Sequence, residues 1–545
     1  MTPLLLLSLL AVPSQAAGLT ADEIARRDAL LSTFDAVFTP ADAQDVAAVT
    51  GRPVCVTGLV KDLKDDWHLL TPADRERITQ FLTPWKTDLA DDPPRMAAGP
   101  GHEDSCHGQY GAYQLLGDHF VVEWDSSSVE RYAKGFLEAL EYAWDKEVDE
   151  FGWNPAASTP DYPILAYIYE LDSYAGAYTS VEQCSGYGYV PYIVAYSGSF
   201  SWDTWADDMA AHEFNHALQF STSMAPDFWF WESTATWIED DVWPSHNTWS
   251  DYTSAYSQWP YIGMNAWSDR DEAIFYHMYG MAVFNFYLEE YEGGHAMIRD
   301  LWNWAGDHSR SYMEEPVWDM AAGLGYDWEE VVTGFMAVVT VMDFADRSYF
   351  YPVEVQETVT ALPGSGSPFA SEAPQSLGQN FVVFDDALFG SGEDLHVVFD
   401  GEDGVRWMAV LVAEDGAEVG ESLVMELDEA GAGEAWITPQ DGDVTLVVTP
   451  WDEDAYGTAY DWDRADTFSY DWSAELGAEP EDTSAPEDTG PADTDLPERP
   501  DGGGDDEDDV GLPSCGCAAA APTGGRAAYL GLLLAAVAVA RRRRR

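Results

Sequence analysis

His212-Glu213-Phe214-Asn215-His216, followed after twelve residues by Trp229-Phe230-Trp231-Glu232-Ser233-Thr234-Ala235, is the stretch on which the reading of this chain turns. Residues four apart on a helix share a face, so His212 and His216 can offer two imidazoles to one metal ion, with Glu213 beside them. This is the His-Glu-x-x-His arrangement of zinc hydrolases. Their chemistry needs three protein ligands, an open fourth position for water, and a carboxylate to take that water's proton. Glu213 suits the last role, and Glu232 is the first choice for third ligand. His246, Asp227 and Glu239 are physically able to serve instead. The opposing view makes the two imidazoles a hydrogen-bonded helix face and Glu232 an ordinary surface carboxylate.

The flanking residues support a helix. Thr204 is placed to cap it with Asp207 three residues on, and Asp207 and Asp208 suit the positive helix start. Met209, His212, Glu213, His216 and Phe220 then recur at helical spacing on one stripe. Pro226 and Asp227 punctuate a turn before a second helix reaching about Asp241, on which Glu232, Ala235, Thr236 and Glu239 share a face. A short turn between the two helices brings Glu232 back to the imidazoles. Gln219 and Thr222 stand where a metzincin would carry Gly and His, so that ligand pattern is absent.

With these residues in view, Trp229-x-x-Glu232-x-x-Ala235 after His212-Glu213-x-x-His216 resembles the gluzincin pattern of thermolysin-like peptidases. HEFNHALQF (212–220), FWESTATWIEDDVWP (230–244) and YHMYGMAVFNFYLEEY (276–291) resemble a family of secreted metalloproteases found in myxobacteria and their relatives. The resemblance covers roughly residues 105 to 350 and the extreme C-terminus. It implies a zincin-like catalytic domain with zinc on His212, His216 and Glu232.

Composition bounds the partners. Across 545 residues, 98 acidic side chains stand against 25 basic ones, a formal charge of -73. Such a surface repels nucleic acid and anionic membranes, so neither is expected as a partner of the folded region. A hydrophobic content of 46% is that of a globular chain with room for two or three cores. Cys55, Cys106 and Cys184 allow one bridge in any of three pairings, and Cys515 and Cys517 lie far downstream.

In chain order, residues 1–17 read as a secretory signal peptide, an apolar run ending in small residues and too short to span a bilayer. Residues 18–104 form a helical N-terminal segment with caps at Thr20-Ala21-Asp22-Glu23 and Thr71-Pro72-Ala73-Asp74, read as a propeptide or a plain helical subdomain. Its Cys55 offers a thiol able to block a zinc ion in a latent form, though only its residue type points there. Residues 105–350 are the expected catalytic domain. It has a strand at His119–Trp124, a long helix capped by Asp125 to Ser128, strands at Pro163–Leu171 and Tyr187–Tyr196, and then the motif helix. An edge strand beside such a site can pair with an extended peptide substrate. The segment Trp243–Pro260 reads as aromatic and loop-rich. Downstream, Tyr279 is the choice for an oxyanion donor, against the alternative of a Tyr packed in a helix interface. Trp205, Trp229, Trp231, Trp237 and Trp243 line a cleft or, more often for such rings, fill a core.

Residues 351–475 switch to short strands separated by Gly-Asp and Gly-Glu turns, read at Asn380–Phe384, Asp394–Phe399, Trp407–Val412, Val444–Thr449 and Phe468–Ala474. They predict an antiparallel β-sandwich accessory domain, able to bind a polymer or, at its acidic loop 451–466, calcium, although those charges read more simply as solvated. Residues 476–514 are an acidic linker without core-forming side chains. Residues 515–545, with Cys515-Gly516-Cys517, an apolar run and five terminal Arg, resemble a MYXO-CTERM sorting tail. That resemblance implies contact with sorting machinery and membrane, with a plain tail anchor as the alternative. The expected fold is thus an α+β zincin-like metallopeptidase domain followed by an antiparallel β-sandwich. The expected activity is zinc-dependent cleavage of protein or peptide substrates after export to the cell surface or medium. The rival is a surface adhesion protein whose zincin domain is inactive; a zinc hydrolase of non-peptide substrates is a third option.

Overall fold

The computed structural model describes residues 19–38, 54–82, 111–156, 159, 163–171, 175–184, 188–201, 204–267, 272–308, 316–390, 393–452 and 466–478. The expected signal peptide, Cys106, most of the acidic loop after Trp451, nearly all of the acidic linker and the C-terminal tail lie outside them. Among the described residues no helix is long and apolar enough to cross a membrane. The architecture is mixed α and β, with antiparallel-rich sheets: a six-stranded sheet clasped by helices, then two sheets face to face.

The first sheet contains β1 (Val54–Cys55), β2 (Tyr113–Leu116), β3 (Phe120–Trp124), β4 (Ile164–Tyr169), β5 (Ala175–Cys184) and β6 (Gly188–Tyr196), in the order β1-β5-β6-β4-β3-β2. β3, β4 and β6 run parallel, as expected of apolar runs covered on both faces, while β5 runs antiparallel to β6. Side chains alternate across a strand, and β5 and β6 divide their contacts accordingly. Thr179 faces the motif helix, its hydroxyl oxygen 2.8 Å from Glu213 O. Ser180 and Tyr192 face the other way and accept from Lys64 Nζ at 2.6 and 2.9 Å.

That second face is covered by the N-terminal segment. Helix Ala21–Phe38 starts with a reciprocal cap, Thr20 N–H to Glu23 Oε2 at 2.7 Å and Glu23 N–H to Thr20 Oγ1 at 3.2 Å. Thr71 and Asp74 make the same box on helix Pro72–Leu82, at 3.1 and 3.2 Å. The hydroxyls of Tyr169, Tyr178 and Tyr196 donate to the last carbonyls of that helix, on Gln80, Leu82 and Phe81. Thirteen side chains between Leu30 and Leu82 belong to the same apolar core as the motif helix. The segment therefore folds as part of this layer.

Several sequence expectations are corrected. β5 falls between the two strands read at Pro163–Leu171 and Tyr187–Tyr196, in a stretch given no element, because Ala175-Gly176-Ala177 lacks the β-branched signature of a strand. The segment Trp243–Pro260, read as a loop, contains helix Ser250–Gln258. The long helix after β3 begins at Glu130 with Val129 as its N-cap, and the Ser126 and Ser128 hydroxyls bond each other at 2.8 Å instead of capping it. The sheet edge beside the motif helix, expected to be open to substrate, carries β1.

After Tyr349 the chain turns to strands. β7 (Glu357–Val359), β9 (Asn380–Phe384), β11 (Arg406–Asp415), β12 (Glu418–Val424) and β14 (Val444–Trp451) form one sheet in the order β12-β11-β14-β9-β7. β8 (Gly364–Gly366), β10 (Asp394–Gly401), β13 (Ala432–Ile437) and β15 (Tyr470–Gly477) form the other, ordered β13-β10-β15-β8. The sandwich is antiparallel except for the β7–β9 pair, which is parallel. Along β11, Trp407, Ala409, Leu411 and Ala413 enter the core between the two sheets. Met408, Val410 and Val412, on the opposite face, enter the core of the helical layer. One sheet thus serves two cores.

Candidate metal centre

The motif helix runs Trp205–Thr222, with Thr204 as N-cap and Asp207 and Asp208 in its first turn. The expected hydroxyl cap is not made; Thr204 Oγ1 donates to Asp208 Oδ2 at 3.2 Å. The helix is buried nearly all round, from Met209 through Phe220, between β5 and β6, the helix Glu130–Trp144 and the following helix. That following helix runs Phe228–Val242 with Asp227 as N-cap and is also buried on every side. Trp205, Trp229, Trp231 and Trp237 are core side chains.

Two adjacent buried helices bring the expected ligands together. His212 Nε2 and His216 Nε2 lie 3.3 and 3.4 Å from Glu232 Oε2. Glu232 is fully buried, so it is no surface carboxylate. Two nitrogen or oxygen ligands bound at about 2.05 Å in a tetrahedron stand about 3.3 Å apart, so these separations are those of donors sharing one ion. Cys55 joins them: its Sγ lies 3.6 Å from His216 Nε2, and the donor atoms of Cys55, His212, His216 and Glu232 all fall within 4.8 Å of one another. This buried group could hold a metal ion. Glu213 Oε1 and Glu232 Oε1, both on fully buried side chains, have no hydrogen-bond partner, an expensive condition that a cation and its water would relieve.

The outer partners fix the imidazoles. His212 Nδ1 meets Glu239 Oε1 at 2.8 Å and His216 Nδ1 meets Gln219 Oε1 at 2.7 Å, which commits each Nδ1–H and leaves each Nε2 lone pair to the centre. Gln219 Nε2 donates onward to Asn215 Oδ1 at 2.7 Å, and Asn215 Nδ2 to the buried Glu147 Oε2 at 2.9 Å. Of the other ligand candidates, Glu239 takes this outer role, His246 Nδ1 pairs with Asp208 Oδ1 at 2.6 Å, and Asp227 Oδ2 accepts from Trp229 Nε1 at 3.3 Å. Gln219 and Asn215 were not singled out from sequence as functional. Gln219 is legible afterwards as a residue three positions from His216 on one helix face.

Glu213 Oε2 accepts from Thr179 Oγ1 at 2.7 Å and Thr57 Oγ1 at 3.4 Å. Burial raises its carboxyl above the usual range, against the pull of His216 and His212. Burial would raise Glu232 too, but the two imidazoles, when they carry protons on Nε2 as well, prevail and hold it down to about 2. Burial likewise pushes the Cys55 thiol up, and the carboxylates of Glu213 and Glu232 push it further. Tyr279, from helix Glu272–Gly280, donates its hydroxyl to Cys55 O at 3.0 Å, and its ring lies 6.2 Å from that of His212. It is thus beside the centre and also packed between helices. Cys55 is a free thiol, so a bridge from it to Cys106 or Cys184 is not formed.

The cavity against the centre, lined in part by Cys55, His212, Glu213 and Glu239, measures about 20 Å³, room for about one water. A far larger concavity of about 1040 Å³ lies between Asp327–Gly334 and strands β11 and β12, but it gathers no His or Cys. Size and side-chain chemistry therefore point to different places, and the buried group that could hold a metal ion is at the motif helix. A second group, Asp241, Glu289 and His295, is also close enough to hold a cation. There the imidazole lies 3.2 Å from Asp241 and 3.0 Å from Glu289, so both nitrogens already face a carboxylate.

No family model matches the chain, and no curated protein matches it. Among solved structures, it is similar to the pre-peptidase C-terminal domain of collagenase from Bacillus anthracis, at 16% identity over 23% of this chain and 98% of that one, with a TM-score of 0.16. It is also similar to a family GH115 4-O-methyl-alpha-glucuronidase with specificity for decorated arabinogalactans, at 9% identity over 50% of this chain and 38% of that one, with a TM-score of 0.13. Neither likeness reaches the level at which a shared fold follows.

Proposed function

We propose that the chain is a zinc-dependent endopeptidase of gluzincin type. The observation that carries this reading is the convergence of His212, His216 and Glu232 at ligand spacing with Glu213 beside them, all four buried. A zincin N-terminal lobe is expected to run strand, helix, strand, strand, metal helix; this chain runs β3, helix Glu130–Trp144, β4, β5, β6, motif helix, one strand more, with β5 next to the centre.

Bound zinc supplies Lewis acidity and lowers the pKa of water towards about 7. His212, His216 and Glu232 hold it, with the imidazoles oriented by Glu239 and Gln219. Glu213, anchored through Oε2 by Thr179, uses Oε1 to take the proton of the attacking water and returns it to the leaving amine. Tyr279 donates its hydroxyl to the oxyanion that forms on the scissile carbonyl. β5 holds the substrate backbone by strand pairing once its edge is free. Partners are protein or peptide substrates at the centre, and sorting machinery and membrane at residues 515–545. Export follows from residues 1–17, with the surface or medium as destination.

One observation favours a second reading. With Cys55 the centre has four protein donors, the number of a closed structural zinc site. The chain would then be a binding protein with an inactive peptidase domain. Zinc stoichiometry and peptide cleavage on the full chain, wild type beside Glu213→Gln, separate the two. The peptidase reading expects about one zinc in both and a loss of about 10²–10⁴ in turnover in the variant. Undiminished cleavage by Glu213→Gln of a peptide that the wild type cleaves removes Glu213 from the mechanism.

A further inference from the structure

Val54–Cys55 stands where an extended substrate would. It pairs along β5, Val54 with Ala175 and Cys55 with Ala177, and Val56 N–H donates to Ala177 O at 2.9 Å. Cys55 Sγ lies 3.6 Å from His216 Nε2. A thiolate bound to zinc at about 2.3 Å and an imidazole at about 2.05 Å stand about 3.6 Å apart across a tetrahedral edge. The Cys55 carbonyl takes the Tyr279 hydroxyl at 3.0 Å. Its neighbour Thr57 reaches Glu213 Oε2 at 3.4 Å and accepts Thr179 N–H at 2.9 Å. Gly58 then passes so close to Phe228 that a Cβ would lie 2.5 Å from the ring, so this approach requires glycine. The thiol does not stand alone as a ligand signal. Glu213 Oε1 and Glu232 Oε1 are fully buried and without partners, Glu232 being one of the gathered donors and Glu213 lining the cavity beside them.

We propose that Cys55 is the fourth metal ligand and that Val54–Cys55 is a built-in inhibitor which keeps the centre closed until it withdraws. The proposal rests on the metallopeptidase reading above. One dipeptide takes the fourth coordination position, the oxyanion donor and the sheet edge together, and leaves a cavity of about 20 Å³. Ligation releases the thiol proton to solvent, because the thiolate is the ligating form. Withdrawal returns a proton to sulfur and yields the position to water. Because twelve side chains of the segment besides Cys55 are built into the shared core, opening is a local departure of the dipeptide and leaves the segment in place.

The test uses the full-length chain loaded with cobalt(II), wild type beside Cys55→Ala and Cys55→Ser. The wild type should absorb in the near ultraviolet through thiolate-to-cobalt charge transfer, and both variants should lose that band. Azide should perturb the visible bands of the variants and leave those of the wild type unchanged. Cys55→Ala should cleave a mixed peptide library on the order of tenfold faster than wild type; Cys55→Ser, closer in size, serves if the alanine variant fails to fold. Bound cobalt without the thiolate band overturns Cys55 ligation and leaves the metal centre standing. A band in wild type with variants no faster than wild type overturns the inhibitory role and makes the centre a closed structural one. Failure of the wild type to take up cobalt removes the metal centre itself, and the inference with it.

Discussion

Replacing Glu239 asks how much of the metal affinity is set outside the ligand shell. Its Oε1 lies 2.8 Å from His212 Nδ1, and both side chains are buried, so the bond forms away from water. Its loss frees the ring to turn and to adopt the tautomer that presents Nδ1 instead of Nε2. Loss of such a partner typically weakens metal binding 10- to 100-fold, which is about 1.4–2.8 kcal/mol. Glu239→Gln keeps an acceptor of nearly the same shape and removes only the charge, so it belongs near the tenfold end. Glu239→Ala strands His212 Nδ1–H, and it takes away one of the two carboxylates that Thr248 Oγ1 contacts, the other being Asp208 at 2.8 Å. It belongs near the hundredfold end. Competition of the full chain against a fluorescent zinc chelator gives the affinities, with circular dichroism to check that each variant is folded. Wild-type affinity in folded Glu239→Ala would refute the reasoning.

Two further outcomes are expected. In a Cys55→Ala background, Tyr279→Phe should lower kcat about 10²–10³-fold with zinc content unchanged, and an unchanged kcat would return Tyr279 to a packing role. Asp240, whose Oδ1 accepts from Trp249 Nε1 at 2.7 Å, is raised from 3.8 to about 7, chiefly by burial. The folded state then binds the proton that the unfolded chain has already lost. Its contribution therefore favours folding below about pH 4 and declines as pH rises to about 7, by an amount on the order of 4 kcal/mol. Urea unfolding across that window should show a shallower decline in Asp240→Asn, and parallel curves would contradict the assignment.

The ligands were legible because their spacing is local. His212 and His216 share a helix face, and a short turn folds Glu232 back onto them, so a one-dimensional pattern implies a three-dimensional site. Cys55 was visible only as a residue type. It reaches His216 across 161 positions of chain, and no periodicity carries that contact. β5 was hidden for a different reason: its start is Ala175-Gly176-Ala177, and small residues carry little strand propensity. In the sandwich, β9 was read to its exact ends, whereas β12 and β13, half-exposed and interrupted by Gly420 and Gly433, escaped. The outer partners were hardest, since Gln219, Thr179 and Glu147 are ordinary polar residues until the fold buries them.

The two-sided strand β11 has a consequence for descent. Met408 answers to the helices and Ala409 to the sandwich, so adjacent codons are held by different cores. A lineage that drifted in its helical layer would have to drift in step on one face of this sheet. Recombination that exchanged only the sandwich would bring in a face fitted to another partner. The two halves should therefore share one ancestry, and a phylogeny built from residues 111–350 should branch as one built from residues 351–478.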